Sequence, residues 1–186
     1  SPDGESVYVA GNAHSTVNHR SALVGFRRNV ATGRLTYQDA YTTETESGAN
    51  DAILGVNDVA IDPEGTHVYA SASYNGEHTI AIFARGANGL LTFQERIDEG
   101  STDPAGNAVS GLVGVNSLVM DPKGRFLYST ATGDSIVAMK RDAGPYVAES
   151  YAVYAGADAV INGLDFGDRN TSVLGASADG ELRGVV

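Results

Sequence analysis

Cysteine and tryptophan are absent from the 186 residues, and lysine occurs only at Lys123 and Lys140. Without cysteine there are no disulfides, thiolate metal sites or cysteine nucleophiles. Positive charge is scarce: 12 basic against 23 acidic residues leave a net charge of −11. A field of that sign repels nucleic-acid backbones and anionic membrane surfaces. No apolar run reaches the about 18 residues of a membrane-spanning helix. The opening Ser1-Pro2-Asp3-Gly4-Glu5-Ser6 has neither a basic nor an apolar stretch, so no signal peptide is expected there. GxSxG, HExxH, the EF-hand spacing and a lysine-bearing phosphate loop are also missing. No reaction is named by a motif.

What the chain has instead is repetition. Ser1-Pro2-Asp3-Gly4-Glu5-Ser6-Val7-Tyr8 returns as Asp62-Pro63-Glu64-Gly65-Thr66-His67-Val68-Tyr69 and as Asp121-Pro122-Lys123-Gly124-Arg125-Phe126-Leu127-Tyr128. A degenerate fourth copy runs from Gly167 to Leu174, with Asn170 in place of the glycine. The steps are 61, 59 and 46 residues. About twenty residues into each repeat comes a second signature: Ala22-Leu23-Val24-Gly25-Phe26, Thr79-Ile80-Ala81-Ile82-Phe83, and Ser135-Ile136-Val137-Ala138-Met139. A glycine turn and a run such as Leu35-Thr36-Tyr37-Gln38 or Leu91-Thr92-Phe93-Gln94 follow. Short β-branched and aromatic segments between turn residues predict strands. No segment carries a helical apolar period with caps. The pattern predicts an all-β chain of four-stranded units, a, b, c and d, with a tight Pro-x-Gly turn between a and b.

Radially repeated four-stranded units are the blades of a β-propeller. The chain reads as one propeller segment of about three and a half blades: a partial blade over 1–42, blades over 43–97 and 98–156, and a second partial blade over 157–186. Closed rings have about four to eight blades. The arc is therefore expected either to be part of a longer ring or to be completed by another copy, since open strand edges are unfavourable.

At these residues the sequence resembles the lactonase/YVTN-type β-propeller superfamily. Ser1-Pro2-Asp3-Gly4…Val7-Tyr8-Val9, Thr32-Gly33-Arg34-Leu35-Thr36 and Ile80-Ala81-Ile82-Phe83 carry the likeness, which spans nearly the whole chain. The resemblance implies the propeller fold. Since that superfamily includes 6-phosphogluconolactonase-like enzymes, it also implies lactone hydrolysis as one activity.

Propeller geometry places the a–b and c–d turns on one face and the b–c and d–a loops on the other. The long loops are Thr43–Asn57, Asp98–Asn116, Gly11–Ser21 and Ala72–His78, all on the second face. Long loops on a rigid scaffold are where binding resides. Asn57, Asn116 and Asn162 each precede the Gly or Asn of the a–b turn by eight residues, so each opens an innermost strand at the channel mouth. These amides are expected either to ring a polar ligand or to hydrogen-bond their own backbone. His14, His19 and His78, with Tyr74 and Glu77, fall in the same loops; the imidazoles are candidates for a general base or, with Glu77, for a divalent cation. Arg20 and Arg27 are placed to hold a substrate carboxylate or phosphate. No cofactor is called for. The composition and polar loops lead to an expected binding or scaffold propeller of a secreted or surface bacterial protein, presenting its long-loop face to a protein, glycan or small molecule. A lactonase-like hydrolase is the alternative.

Overall fold

The computed structural model describes residues 1–13, 20–43, 51–103, 106–141, 147–154, 174–176 and 182–184. These residues are all-β apart from one 3-10 turn at Asp51–Ile53. The first sheet contains β1 (Ser6–Ala13), β2 (Arg20–Arg28) and β3 (Leu35–Thr42), in that order. The second contains β4 (Val56–Ile61), β5 (His67–Tyr74), β6 (Glu77–Arg85) and β7 (Leu91–Asp98). The third contains β8 (Val115–Met120), β9 (Phe126–Ala131), β10 (Ser135–Arg141) and β11 (Val147–Tyr154). β12 (Leu174–Ala176) and β13 (Leu182–Gly184) form a final hairpin. Every pairing is antiparallel and joins neighbours in sequence, the up-and-down order of propeller blades.

The second sheet is buried on both faces, which explains why its central strands are apolar at consecutive positions. Alternation then sorts the two faces. Val68, Ala70, Ala72, Ala81 and Phe83 turn toward the first sheet and pack with Leu23, Tyr8 and Tyr41. Tyr69, Ile80 and Ile82 turn toward the third and pack with Leu118, Leu127, Val137 and Met139. The protein thus has its core between blades. Tyr41, Phe83 and Phe93 form an aromatic row across the first interface, with centroids 5.0 and 5.7 Å apart.

The a–b turns are stapled across the same interfaces. Gly65 and Gly124 have φ of +70° and +67°, so glycine suits the turn conformation. Each also lies against the proline of the preceding turn: a Cβ at Gly65 would sit 3.3 Å from Pro2, and one at Gly124 2.9 Å from Pro63. The loop drawn over Ala72–His78 is shorter than the sequence suggests. β5 and β6 run on to Tyr74 and Glu77, and Asn75 and Gly76, with φ of 51° and 89°, form the two-residue turn that Asn-Gly favours.

Candidate ligand site at the channel mouth

The d–a loops are anchored from beneath. Ala52 and Ile53 in one, and Val109 and Leu112 in the next, drop apolar side chains into the inter-blade core. Each loop then enters its innermost strand through the same three residues, Gly55-Val56-Asn57 and Gly114-Val115-Asn116. Both glycines have positive φ, +74° and +72°, and both are crowded: a Cβ would fall 2.4 Å from the Ser73 carbonyl oxygen or 1.8 Å from Thr132 Oγ1. Their carbonyls accept the N–H groups of Ser73 and Thr132 at 3.1 Å. The valines are buried.

Both asparagines are the extra residue of a β-bulge. Val56 faces Ala72 and Asp58 faces Ser71, so Asn57 has no partner opposite; Val115 and Ser117 bracket Asn116 in the same way. A bulge re-aims the side chain it carries, and both asparagines are exposed. Asn57 Nδ2 donates across the blade boundary to the Val115 carbonyl at 3.1 Å. The amide therefore bonds neither to its own loop nor only to solvent, and its Oδ1 is left as an acceptor. Beside it, Asp58 Oδ2 accepts from Leu118 N–H at 2.9 Å and from the Ser117 hydroxyl at 3.2 Å. Asn57, Asp58, Asn116 and Ser117 thus line the rim of two adjacent inner strands. Asp58 Oδ1 also accepts from Val59 N–H at 2.8 Å, so the groups the rim offers to a ligand are Asn57 Oδ1 and the exposed Asn116 amide, a chemistry suited to hydroxyl groups.

His78 is placed elsewhere. Its Nδ1 accepts the Gly114 N–H at 3.2 Å and lies 2.8 Å from the Ser73 hydroxyl. An Nδ1 that accepts a backbone N–H carries no proton, so the network assigns the ring proton to Nε2. Ser21 has the same task one blade earlier, its Oγ accepting the Gly55 N–H at 2.7 Å. Glu77 is exposed and pairs with Arg96 at 3.4 Å, while Arg96 Nε holds Asp98 at 2.7 Å. Glu77 and His78 are not joined in one site. Tyr74 ends β5, half-buried beside that hairpin. Arg27 is exposed. His14, His19 and Asn162 lie outside the described residues, as does the side chain of Arg20, which begins β2. Among the described residues no three His, Asp or Glu side chains gather as metal ligands.

The opposite face carries a network of residues far apart in sequence. Arg28, Arg85 and Arg141 end strands β2, β6 and β10, and each donates to the glycine carbonyl of its own a–b turn at 3.1 Å. Arg85 also reaches back to Asp3 at 2.7 Å, and Arg141 to Asp62 at 2.8 Å and Glu64 at 2.9 Å. Burial alone raises the Asp62 carboxyl. Hydrogen bonds from Thr66 and His67 outweigh it and leave Asp62 below the usual carboxylate range. An arginine recurring two residues after Phe26, Phe83 and Met139 was the available signal.

No protein-family model matches the chain, and no curated protein matches it. Among solved structures it is similar to a Bacteroides uniformis protein assigned as a 6-phosphogluconolactonase, with a TM-score of 0.60 and 19% identity over 83% of this chain and 38% of that one. A Bacteroides fragilis protein with the same assignment gives 0.53 and 18%, over 81% and 35%. A Lactobacillus plantarum protein gives 0.53 and 21%, over 82% and 38%. The chain has the fold of the lactonase-like β-propellers and spans less than two fifths of the length of these structures. Among the described residues no helix is long and apolar enough to cross a membrane.

Proposed function

We propose that the protein is a lactonase-like propeller whose channel mouth binds a hydroxylated lactone and opens it with water. The observation that carries this reading is the rim of Asn57, Asp58, Asn116 and Ser117, on a fold shared with proteins assigned as 6-phosphogluconolactonases. Sugar-derived lactones offer several hydroxyl donors to such a rim. The exposed Asn116 amide of that rim is the donor this reading assigns to the lactone carbonyl oxygen. Water adds at the acyl carbon, the ring C–O bond breaks, and the hydroxy acid formed releases one proton at neutral pH. An acidic, cysteine-free and lysine-poor composition fits an extracytoplasmic setting.

The test is proton release from a panel of aldonolactones, followed in a pH-stat with the wild-type protein and with Asn116→Ala. The reading predicts acid release above the uncatalysed rate for at least one lactone and its loss in the variant. Absence of turnover across the panel overturns it. Saturable lactone binding without acid release would return the protein to a ligand-binding propeller.

A further inference from the structure

We infer that Asn75 is a site of spontaneous deamidation, by way of a succinimide closed onto the Gly76 nitrogen at the tip of the β5–β6 hairpin. The chemistry needs an asparagine whose side-chain carbon can be reached by the next backbone nitrogen. Glycine in that next place leaves the nitrogen uncovered, because no Cβ stands beside it. Among the described residues Asn-Gly occurs at Asn75-Gly76 and Asn88-Gly89; a third copy, Asn162-Gly163, lies outside them.

The two described copies are held differently. Asn88 Oδ1 accepts the Leu90 N–H at 3.1 Å, and its main-chain carbonyl accepts Gln38 Nε2 at 2.6 Å. The Gly89 N–H is itself committed to the Gly86 carbonyl at 2.9 Å. The space that a Cβ would take at Gly89 is filled by Ser6 Oγ, 2.5 Å away. Side chain, peptide plane and nucleophile are all fixed there, and closing the ring costs these bonds. Asn75 and Gly76 are exposed, and neither forms a hydrogen bond among the described residues. A Cβ at Gly76 would meet nothing within 4 Å. Both residues have positive φ and form the two-residue turn beyond the Tyr74–Glu77 pair. Turning their peptide to bring Asn75 Cγ onto the nitrogen therefore breaks no bond that either residue makes.

The step balances without a cofactor. The Gly76 nitrogen adds to Asn75 Cγ, the amide Cγ–N bond breaks, and ammonia leaves with the proton that the nitrogen gave up. Water then opens the imide at either carbonyl. One opening returns the ordinary chain with aspartate; the other gives isoaspartate, with an extra methylene in the main chain. Either product places a new carboxylate two residues from Glu77, which pairs with Arg96 at 3.4 Å. The hairpin thus gains negative charge with time on the long-loop face.

The experiment ages the wild-type protein in mildly alkaline buffer, folded and in concentrated urea, until the urea sample has reacted. Both Asn-Gly peptides are followed by digestion and tandem mass spectrometry. Unfolded, the two sites carry the same dipeptide and are expected to react at similar rates. Folded, Asn75 is expected to react at least about tenfold faster than Asn88, whose hydrogen bonds must break first. The peptide that holds residue 75 should then accept a methyl group from S-adenosylmethionine under protein-L-isoaspartate methyltransferase. The same peptide of Asn75→Gln, whose ring would need one more carbon, should not. An intact Asn75 in the folded sample, or a folded-state rate at Asn88 that equals or exceeds that at Asn75, would overturn the inference.

Discussion

The imidazole of His78 accepts the backbone N–H of Gly114 at 3.2 Å across a blade boundary, in the place where Ser21 accepts from Gly55 one blade earlier. A histidine in a polar hairpin invites a catalytic reading. Its equivalence to a serine favours a structural role, as an acceptor for the backbone N–H. His78→Ala is therefore expected to destabilise the fold by about 1 kcal/mol, the usual effect of losing one hydrogen bond. Lactone turnover per folded molecule should be unchanged, and His78→Ser should recover most of the lost stability. Urea unfolding with pH-stat rates checks both; a His78→Ser protein that is folded but inactive would defeat this assignment.

Gly114 is the other half of that contact. Its φ of +72° disfavours an L side chain, and a Cβ would lie 1.8 Å from Thr132 Oγ1. Gly114→Ala should cost about 3 kcal/mol, the sum of strain and displacement. Gly33, with similar φ but nothing within 4 Å, gives the comparison: Gly33→Ala should cost about 1 kcal/mol. Similar losses at the two sites, measured by thermal unfolding, would remove crowding as the cause.

These contacts explain what could be read in advance. The Pro-x-Gly turns and alternating strands are local patterns, and repetition multiplied each of them, so the four-stranded units were legible. The Gly-Val-Asn bulge was legible only in part. That Asn57 opens an inner strand follows from its spacing to Gly65, but its bond to the Val115 carbonyl depends on the neighbouring blade's register. Arg85 and Asp3 are 82 residues apart and meet only when two sheets pack. Their signal was the periodic recurrence of arginine, not any local motif.

The two asparagines make separable predictions. Asn57→Ala removes the cross-blade donor and should cost about 1 kcal/mol. Asn116 is exposed, so Asn116→Ala should change stability by less than about 0.5 kcal/mol while weakening lactone binding. Titration calorimetry alongside urea unfolding separates the roles. An Asn116→Ala protein with unaltered lactone affinity would exclude that amide from the site.

Acid should act through Asp62, whose side chain is fully buried and held by Thr66, His67 and Arg141. Its folded pKa is depressed, so the stability it contributes is complete above the unfolded value of about 3.9 and is lost as pH falls through the folded value. Asp62→Asn should lower stability by about 2 kcal/mol at pH 7 and flatten the decline below pH 4. Urea midpoints between pH 7 and pH 3 test this; an unchanged acid slope in the variant would assign the decline to other carboxylates.

Tyr8 and Tyr69 occupy the same place in successive blades but differ in their hydroxyls. Tyr8 donates to the Gly89 carbonyl at 2.7 Å and accepts from Arg85 Nε at 2.9 Å. Among the described residues the buried Tyr69 hydroxyl meets no hydrogen-bond partner, and neither does Arg141 Nε. Removing a satisfied hydroxyl leaves its partners orphaned, whereas removing an unsatisfied one relieves a desolvation cost. Tyr8→Phe is therefore expected to destabilise by about 1 kcal/mol and Tyr69→Phe to be neutral or stabilising. Burial also pushes the Tyr69 phenol up to about 12. The unfolded chain ionises this group from about pH 10 while the folded chain keeps its proton. Stability linked to Tyr69 is thus complete below about pH 10 and falls as pH rises toward 12. Tyr69→Phe should remove that alkaline decline, and Tyr8→Phe should not. Urea midpoints from pH 8 to pH 11 decide the matter, and an equal decline in wild type and Tyr69→Phe would place the alkaline sensitivity elsewhere.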